Sequence, residues 1–338
     1  MQYPKDIVFE CNLIYNEIRT ESDIMYRVKE GIIGSAIGDA LGCSTKGQDR
    51  EYLLDNPILK MYPNIKKGIP RGSWGESTSL MIATMSSISK KGLDYDFIAE
   101  NCVSWFTANK YCSVREAFGI GETTLKSLVR FTQRQVPAYE CGETDVKSNG
   151  NGSLKMMLPL AYYFTAKKSL KDEVYDVVRK VCSITHKNEL CICACYIYVH
   201  FVMLILNGNN KYAALKKLKL LDYSMFSNKT LEYFSRILIG NIQELEIDEI
   251  DSSSFIVSTL ESALWCFAKS ESFKDCVIAA ANLGKDTSTI GSLSGSLAGI
   301  YYGTNKIPST WDESLRKKDY LTEISEIYET YLRNLSYK

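Results

Sequence analysis

The sequence predicts an all-α fold, and three observations carry that reading. Apolar residues recur at helical period: in "SLKDEVYDVVRKVCSITH", Val174, Val177, Val178 and Val181 share one helix face. Strand signals are sparse, with no strand–helix–strand rhythm and no alternating run longer than about five residues. Gly291, Gly295 and Gly299 in "GSLSGSLAGIYYG" stand four apart, a spacing that lets a neighbouring backbone approach and so points to tightly packed helices.

In chain order, residues 1–27 read as an N-terminal helical extension that packs on the domain or on a second subunit, and residues 28–338 as one domain. "SLMIATMSSISKKG" is a helix closed by Gly92. "GETDVKSNGNGS" (142–153) is a polar loop. The valine-lined helix takes Ser169 as N-cap and Glu173 in its first turn. "LCICACYIYVHFVMLIL" (190–206) is slightly short for a membrane span and is expected to be a buried helix, with His200 in the core. "IDEIDSSS" (247–254) is a second polar loop, followed by helices over "TLESALWCFAKS" and "FKDCVIAAANLG", the latter ending at Gly284.

Forty basic and forty acidic residues cancel, so no global field draws the chain to nucleic acid or to an anionic membrane. Charges interrupt the first thirty residues every few positions, which argues against a signal peptide. The eleven cysteines lack framework spacing and read as reduced thiols of a cytoplasmic protein. In "CICAC", Cys193 would face away from Cys191 and Cys195 on a helix, so core packing is preferred to a metal site.

Four loop-to-helix junctions combine Gly with Asp, Asn, Ser or Thr: "GSAIGDALG" (34–42), "GSWGESTSLM" (72–81), "GNGSLKMMLPLAYY" (150–163) and "NLGKDTSTIGSLSG" (282–295). Each alone is an ordinary cap. Four in one chain suggest a shared site, because helix N-termini present unpaired N–H groups and a positive dipole end suited to phosphate.

Together these segments resemble the ADP-ribosylglycohydrolase family over nearly the whole chain. "GNGSLKMMLPLAYY" is similar to the family's Gly-Asn-Gly-Ser-Leu-Met-Arg segment, "SITH" (183–186) to its Thr-His, and "FGIGETTLKSL" to a substrate-loop segment. The block from Glu261 to Gly303 resembles its C-terminal metal-site region. The resemblance implies a compact, orthogonal helical bundle with a central cleft. There, two Mg2+ or Mn2+ ions would help to bind ADP-ribose and cleave its bond to an acceptor.

The departures fall on the metal ligands. The family's Thr-Asp-Asp-Thr reads Gly75, Glu76, Ser77, Thr78 here; its Gly-Gly-Asp-Thr-Asp-Thr reads Gly284, Lys285, Asp286, Thr287, Ser288, Thr289; and Lys46 stands where a glutamate is common. Lys155 and Met156 replace the family's Met and Arg. Too few carboxylates remain to hold two dications close together. The expectation is that the two-metal centre does not form, leaving at most one weak Mg2+ or Mn2+ on Glu76, Ser77, Asp286 and Thr289. Glu76 and Asp286 are the candidates for general acid or base work. The resemblance further implies that Gly150, Asn151, Gly152 and Ser153 cradle phosphate, and that His186 lies near the ligand, a satisfied helix-end residue being the alternative. Asp39 is a ligand-binding candidate with a structural helix-end role as its alternative. Lys46, Lys155 and Lys285 are either surface lysines or ammonium groups in the space of the cations. Tyr301 and Tyr302 are weaker candidates for stacking on adenine. ADP-ribose, or an ADP-ribosylated molecule, is the expected partner.

Overall fold

The computed structural model describes residues 27–337, apart from 134, 135, 304 and 306. Except for Arg27, the expected N-terminal extension over 1–27 lies outside the described residues. Among those described, α-helices and short 3-10 turns make up the regular structure, and only isolated β-bridges join extended residues, such as Gly150 with Phe255. The chain is all-α, as its periodicity predicts.

Two helices form the centre: α1 (Val28–Cys43) and, close to the other end of the chain, Thr287–Tyr302. The 291, 295 and 299 glycines of the second meet Gly38 and Gly34 of a matching ladder on α1, whose last member, Gly42, lies against the Thr287–Ser288 backbone at the start of the second helix. A Cβ on Gly38 would lie 1.8 Å from the Gly291 carbonyl oxygen, and one on Gly34 would lie 2.2 Å from that of Gly295. No side chain fits there, so the backbones touch. The sequence predicted a close neighbour for the second ladder; the helix that supplies it carries the same four-residue spacing. Ser35 and Ser292 hydroxyls bond across the contact at 2.7 Å, and Arg27 donates to the Ile300 carbonyl at 2.6 Å, tying the start of α1 to the end of its partner.

Around this pair run α2 (Arg50–Asp55), α3 (Glu76–Lys91), α4 (Tyr95–Ala108), α5 (Glu122–Thr132), α6 (Leu158–Lys167), α7 (Lys171–Cys182) and α8 (Glu189–Leu206). They are followed by α9 (Lys211–Leu218), α10 (Asn228–Tyr233), α11 (Ser235–Leu238), α12 (Ile256–Lys269) and α13 (Phe273–Ala281). The central glycine helix is α14, then come α15 (Ser309–Ser314) and α16 (Lys318–Ser336). One core runs through all of these except α2. Helix α8 is the described helix long and apolar enough to cross a membrane, yet every residue from Cys191 to Leu206 is buried inside the fold. The thiols of Cys191, Cys193 and Cys195 pack with the rest of that core.

Two helix ends differ from expectation. Leu170, not Ser169, stands at the N-cap of α7, because the Ser169 N–H is taken by the Phe164 carbonyl to close α6 after the left-handed Lys168. Helix α13 stops at Ala281 rather than Gly284, because the Asn282 side chain clamps the Ile58 backbone, accepting from its N–H at 2.7 Å and donating to its carbonyl at 2.9 Å. Gly284, at φ 82°, then turns the chain into α14. Arg50 fixes that turn, its guanidinium donating to the carbonyls of Leu283, Ile247 and Ile250 at 2.9, 2.5 and 2.5 Å.

Candidate functional site

The α1–α14 contact decides where the site can be. It sets Asp39, late in α1, against the start of α14, and the N-terminus of α3 meets both. Asp39 is fully buried and every polar contact it makes is structural. Oδ2 accepts from the Gly75 N–H, the Thr78 N–H and the Thr78 hydroxyl at 3.0, 3.1 and 2.8 Å; Oδ1 accepts from Ser288 at 2.8 Å. Helix α3 opens on Gly75, which has no side chain with which to cap its own first turn. Asp39 supplies that cap from another helix, where a carboxylate also meets the positive dipole end.

One residue further on, Glu76 is 4% exposed. Its Oε2 accepts from the Lys155 ammonium at 2.5 Å, and Oε1 accepts from the Gly121 N–H at 3.3 Å. Lys155 comes from the 3-10 turn Asn151–Met156, and its side chain is 4% exposed, so the pair is enclosed. Phe118 lies over the helix start; a Cβ on Gly75 would meet its ring at 2.9 Å.

Across the site, Asp286 precedes α14 and is held from three sides. Asn151 donates to its Oδ2 at 2.7 Å and Thr289 at 3.2 Å, while Lys46 forms an ion pair with Oδ1 at 2.9 Å. Asn151 is itself oriented by a bond to Thr259 at 2.8 Å. Burial opposes the charge on Asp286, but Lys46 and then Lys155 outweigh it and hold the carboxyl down at about 2. Burial likewise opposes the Lys46 charge, and Asp286 followed by Glu76 raises it well above the ordinary lysine range. Each ion pair therefore sits in the field of the other: Lys46 responds to Glu76, and Asp286 to Lys155. The four groups form one alternating, balanced cluster.

His186 closes the side of the site. It is 1% exposed, its Nδ1 lies 2.9 Å from the Thr185 hydroxyl, and a Cβ on Gly152 would meet the ring at 2.6 Å. Burial, reinforced by Lys155, drops it to about 3, so the ring is neutral at physiological pH. It follows α7 as a core residue packed on the 150–152 backbone.

The predicted residues divide into groups. Asp39, Lys46, Glu76, Asn151, Asp286 and Thr289 interlock as described, and Gly152 lies against His186. Ser77 is buried in the first turn of α3. Ser153 is buried in the core, accepting from the Cys195 thiol at 3.4 Å. Gly150 bridges to Phe255. Lys285 points elsewhere: with φ 55° its side chain is swung outward onto Asp251, 2.8 Å away at the surface. Tyr301 and Tyr302 lie at the far end of α14, edge-on to Phe267, with the Tyr302 hydroxyl donating to the Ser270 carbonyl. Sequence reasoning missed Gly121, Phe118 and Thr259. The first two lie in the segment "FGIGETTLKSL", whose similarity to a substrate loop was the available signal. Thr259 carries none, since it acts only through Asn151.

Comparison with known proteins gives this fold its class. The sequence profile described as ADP-ribosylglycohydrolase matches residues 20–336, and the chain belongs to that family. Similar proteins include ADP-ribosylarginine hydrolase Tri1 of Serratia proteamaculans, 26% identical over 310 residues, covering 90% of this chain and 80% of that one. Another is ADP-ribosyl-[dinitrogen reductase] glycohydrolase of Rhodospirillum rubrum, 25% identical over 303 residues, covering 86% of this chain and 91% of that one. A solved structure titled "ADP-ribosylglycohydrolase-related protein complex" superposes with a TM-score of 0.75 at 24% identity, over 93% of this chain and 99% of that one, which shows the shared fold.

Proposed function

We propose that this chain binds ADP-ribose, or the ADP-ribosyl group of a modified molecule, in the cleft between Glu76 and Asp286, with the two-metal hydrolysis of its family altered or lost. One observation carries the reading: both carboxylates that remain in the two metal motifs are already paired with lysine ammonium groups, Glu76 with Lys155 and Asp286 with Lys46. This donor set does not fit two divalent cations. Positions 75, 77 and 288 are Gly, Ser and Ser, and the third carboxylate nearby, Asp39, is spent on the N-terminus of α3. A dication about 5 Å from an ammonium is repelled by roughly 7 kcal/mol at an effective dielectric of about 20. Ligand binding is supported by the family itself, whose members act on ADP-ribosylated molecules, and by the Lys46 side chain, which is 37% exposed beside the fixed Asp286 carboxylate.

Isothermal calorimetry with ADP-ribose tests the binding: saturable uptake is expected, and its absence would leave only the fold in common with the family. Two relatives carry the name ADP-ribosylarginine hydrolase, so an arginine-linked ADP-ribosyl peptide is the substrate to assay for turnover. Release of ADP-ribose that rises with Mg2+ and vanishes in Glu76→Ala would overturn the loss of the standard reaction.

A further inference from the structure

We propose that Lys46 and Lys155 take the place of divalent cations in this cleft, so that an anionic ADP-ribosyl ligand is held without Mg2+ or Mn2+. The inference rests on the binding just proposed and assigns the two lysines different parts. Lys155 is enclosed, with its side chain 4% exposed and its ammonium bonded to Glu76, so it is a positioning residue that holds the Glu76 side chain in place. Lys46 is at the mouth, its side chain 37% exposed against 8% for Asp286. An ammonium has three protons to donate. Asp286 engages Lys46 from one side, and the exposed side remains for an incoming diphosphate. Asp286 cannot swing to follow the ligand, because Asn151 and Thr289 hold its other oxygen. Lys46 is therefore presented on a fixed carboxylate, as a metal ion would be, but with a single charge and no open coordination position to activate water.

Three further features agree with this. The charges of the cluster sum to zero without any ion: Glu76 and Asp286 against Lys46 and Lys155. His186 adds none, because burial keeps it neutral. And the glycine that touches His186, Gly152, leaves the ring flush against the backbone of the 150–152 segment rather than projecting as a ligand toward a metal.

Two measurements test the proposal separately. In calorimetry, the affinity of the full chain for ADP-ribose is expected to be the same within twofold in EDTA and in millimolar Mg2+ or Mn2+. Lys46→Gln should weaken it at least tenfold, and Lys274→Gln, on an exposed part of α13 far from the cluster, should leave it unchanged. An affinity that depends on the metal, or that survives Lys46→Gln, overturns the proposal. In the absence of ADP-ribose, titration with Mn2+ followed by electron paramagnetic resonance should show no stoichiometric uptake by the wild type. The Lys46→Ser/Lys155→Met variant, freed of both ammonium groups, should take up Mn2+ measurably more tightly. Two tightly held Mn2+ ions in the wild type overturn the inference whatever the nucleotide does. Lack of ADP-ribose binding with the Mn2+ result as expected instead removes the proposed ligand and leaves the substitution of cations by lysines intact.

Discussion

Removing one partner of the buried Glu76–Lys155 pair should destabilise the protein far more than removing both. Methionine has nearly the shape of lysine without its charge, so Lys155→Met leaves packing close to unchanged while stranding Glu76, which is 4% exposed and keeps only the Gly121 N–H at 3.3 Å. Breaking a buried pair in this way costs about 3–5 kcal/mol. At about 2 °C per kcal/mol for a chain of this size, the melting temperature should fall by roughly 6–10 °C. Glu76→Gln/Lys155→Met replaces both charges by neutral groups of similar volume and should recover most of the loss, ending within about 2 kcal/mol of the wild type. Urea unfolding of the wild type, Glu76→Gln, Lys155→Met and the double variant at pH 7 gives the coupling energy directly. A Lys155→Met variant within about 1 kcal/mol of the wild type, or a double variant no more stable than the single one, would refute the claim that the two charges are dry and mutually dependent.

The glycine contact and the buried histidines give two further tests. Gly38→Ala places a methyl 1.8 Å from the Gly291 carbonyl oxygen, on backbone that cannot move aside without separating α1 from α14, so the protein should lose at least about 3 kcal/mol in urea unfolding; Gly121→Ala, whose nearest neighbour would be the Thr124 hydroxyl at 3.8 Å, should cost well under half of that. His186 and His200 are each held by burial at about 3, Lys155 and Lys171 respectively adding to the effect. Their folded values lie below the unfolded value of about 6.5, so the unfolded chain gains protons first and stability declines as pH falls from about 6.5 towards 3. Between pH 7.5 and 5.5 each should contribute a loss of about 1.4 kcal/mol, and His200→Phe should remove one of the two shares; a stability unchanged over that interval would refute their neutral burial.

Much of the molecule was legible in the chain itself. Period 3.6 at Val174, Val177, Val178 and Val181 marks a face that is buried in the structure, and the spacing of Gly291, Gly295 and Gly299 announces a neighbour at backbone distance. That positions 75, 77 and 288 are Gly, Ser and Ser is equally plain, because residue identity needs no structure to be read.

What the sequence could not decide is which groups meet. Lys285 adjoins Asp286 in the chain, yet a left-handed backbone at φ 55° sends it to Asp251, while Lys46 arrives from the end of α1 to pair with Asp286. That Asp39 accepts from the bare start of α3 shows only once α1 is laid beside that helix. The sequence determined the elements, the family and the inventory of charges, because these depend on short-range pattern and residue type. Only the tertiary structure decided the pairing of those charges, because electrostatic energy falls with distance in space, and that distance was set by two glycine ladders at opposite ends of the chain closing on one another.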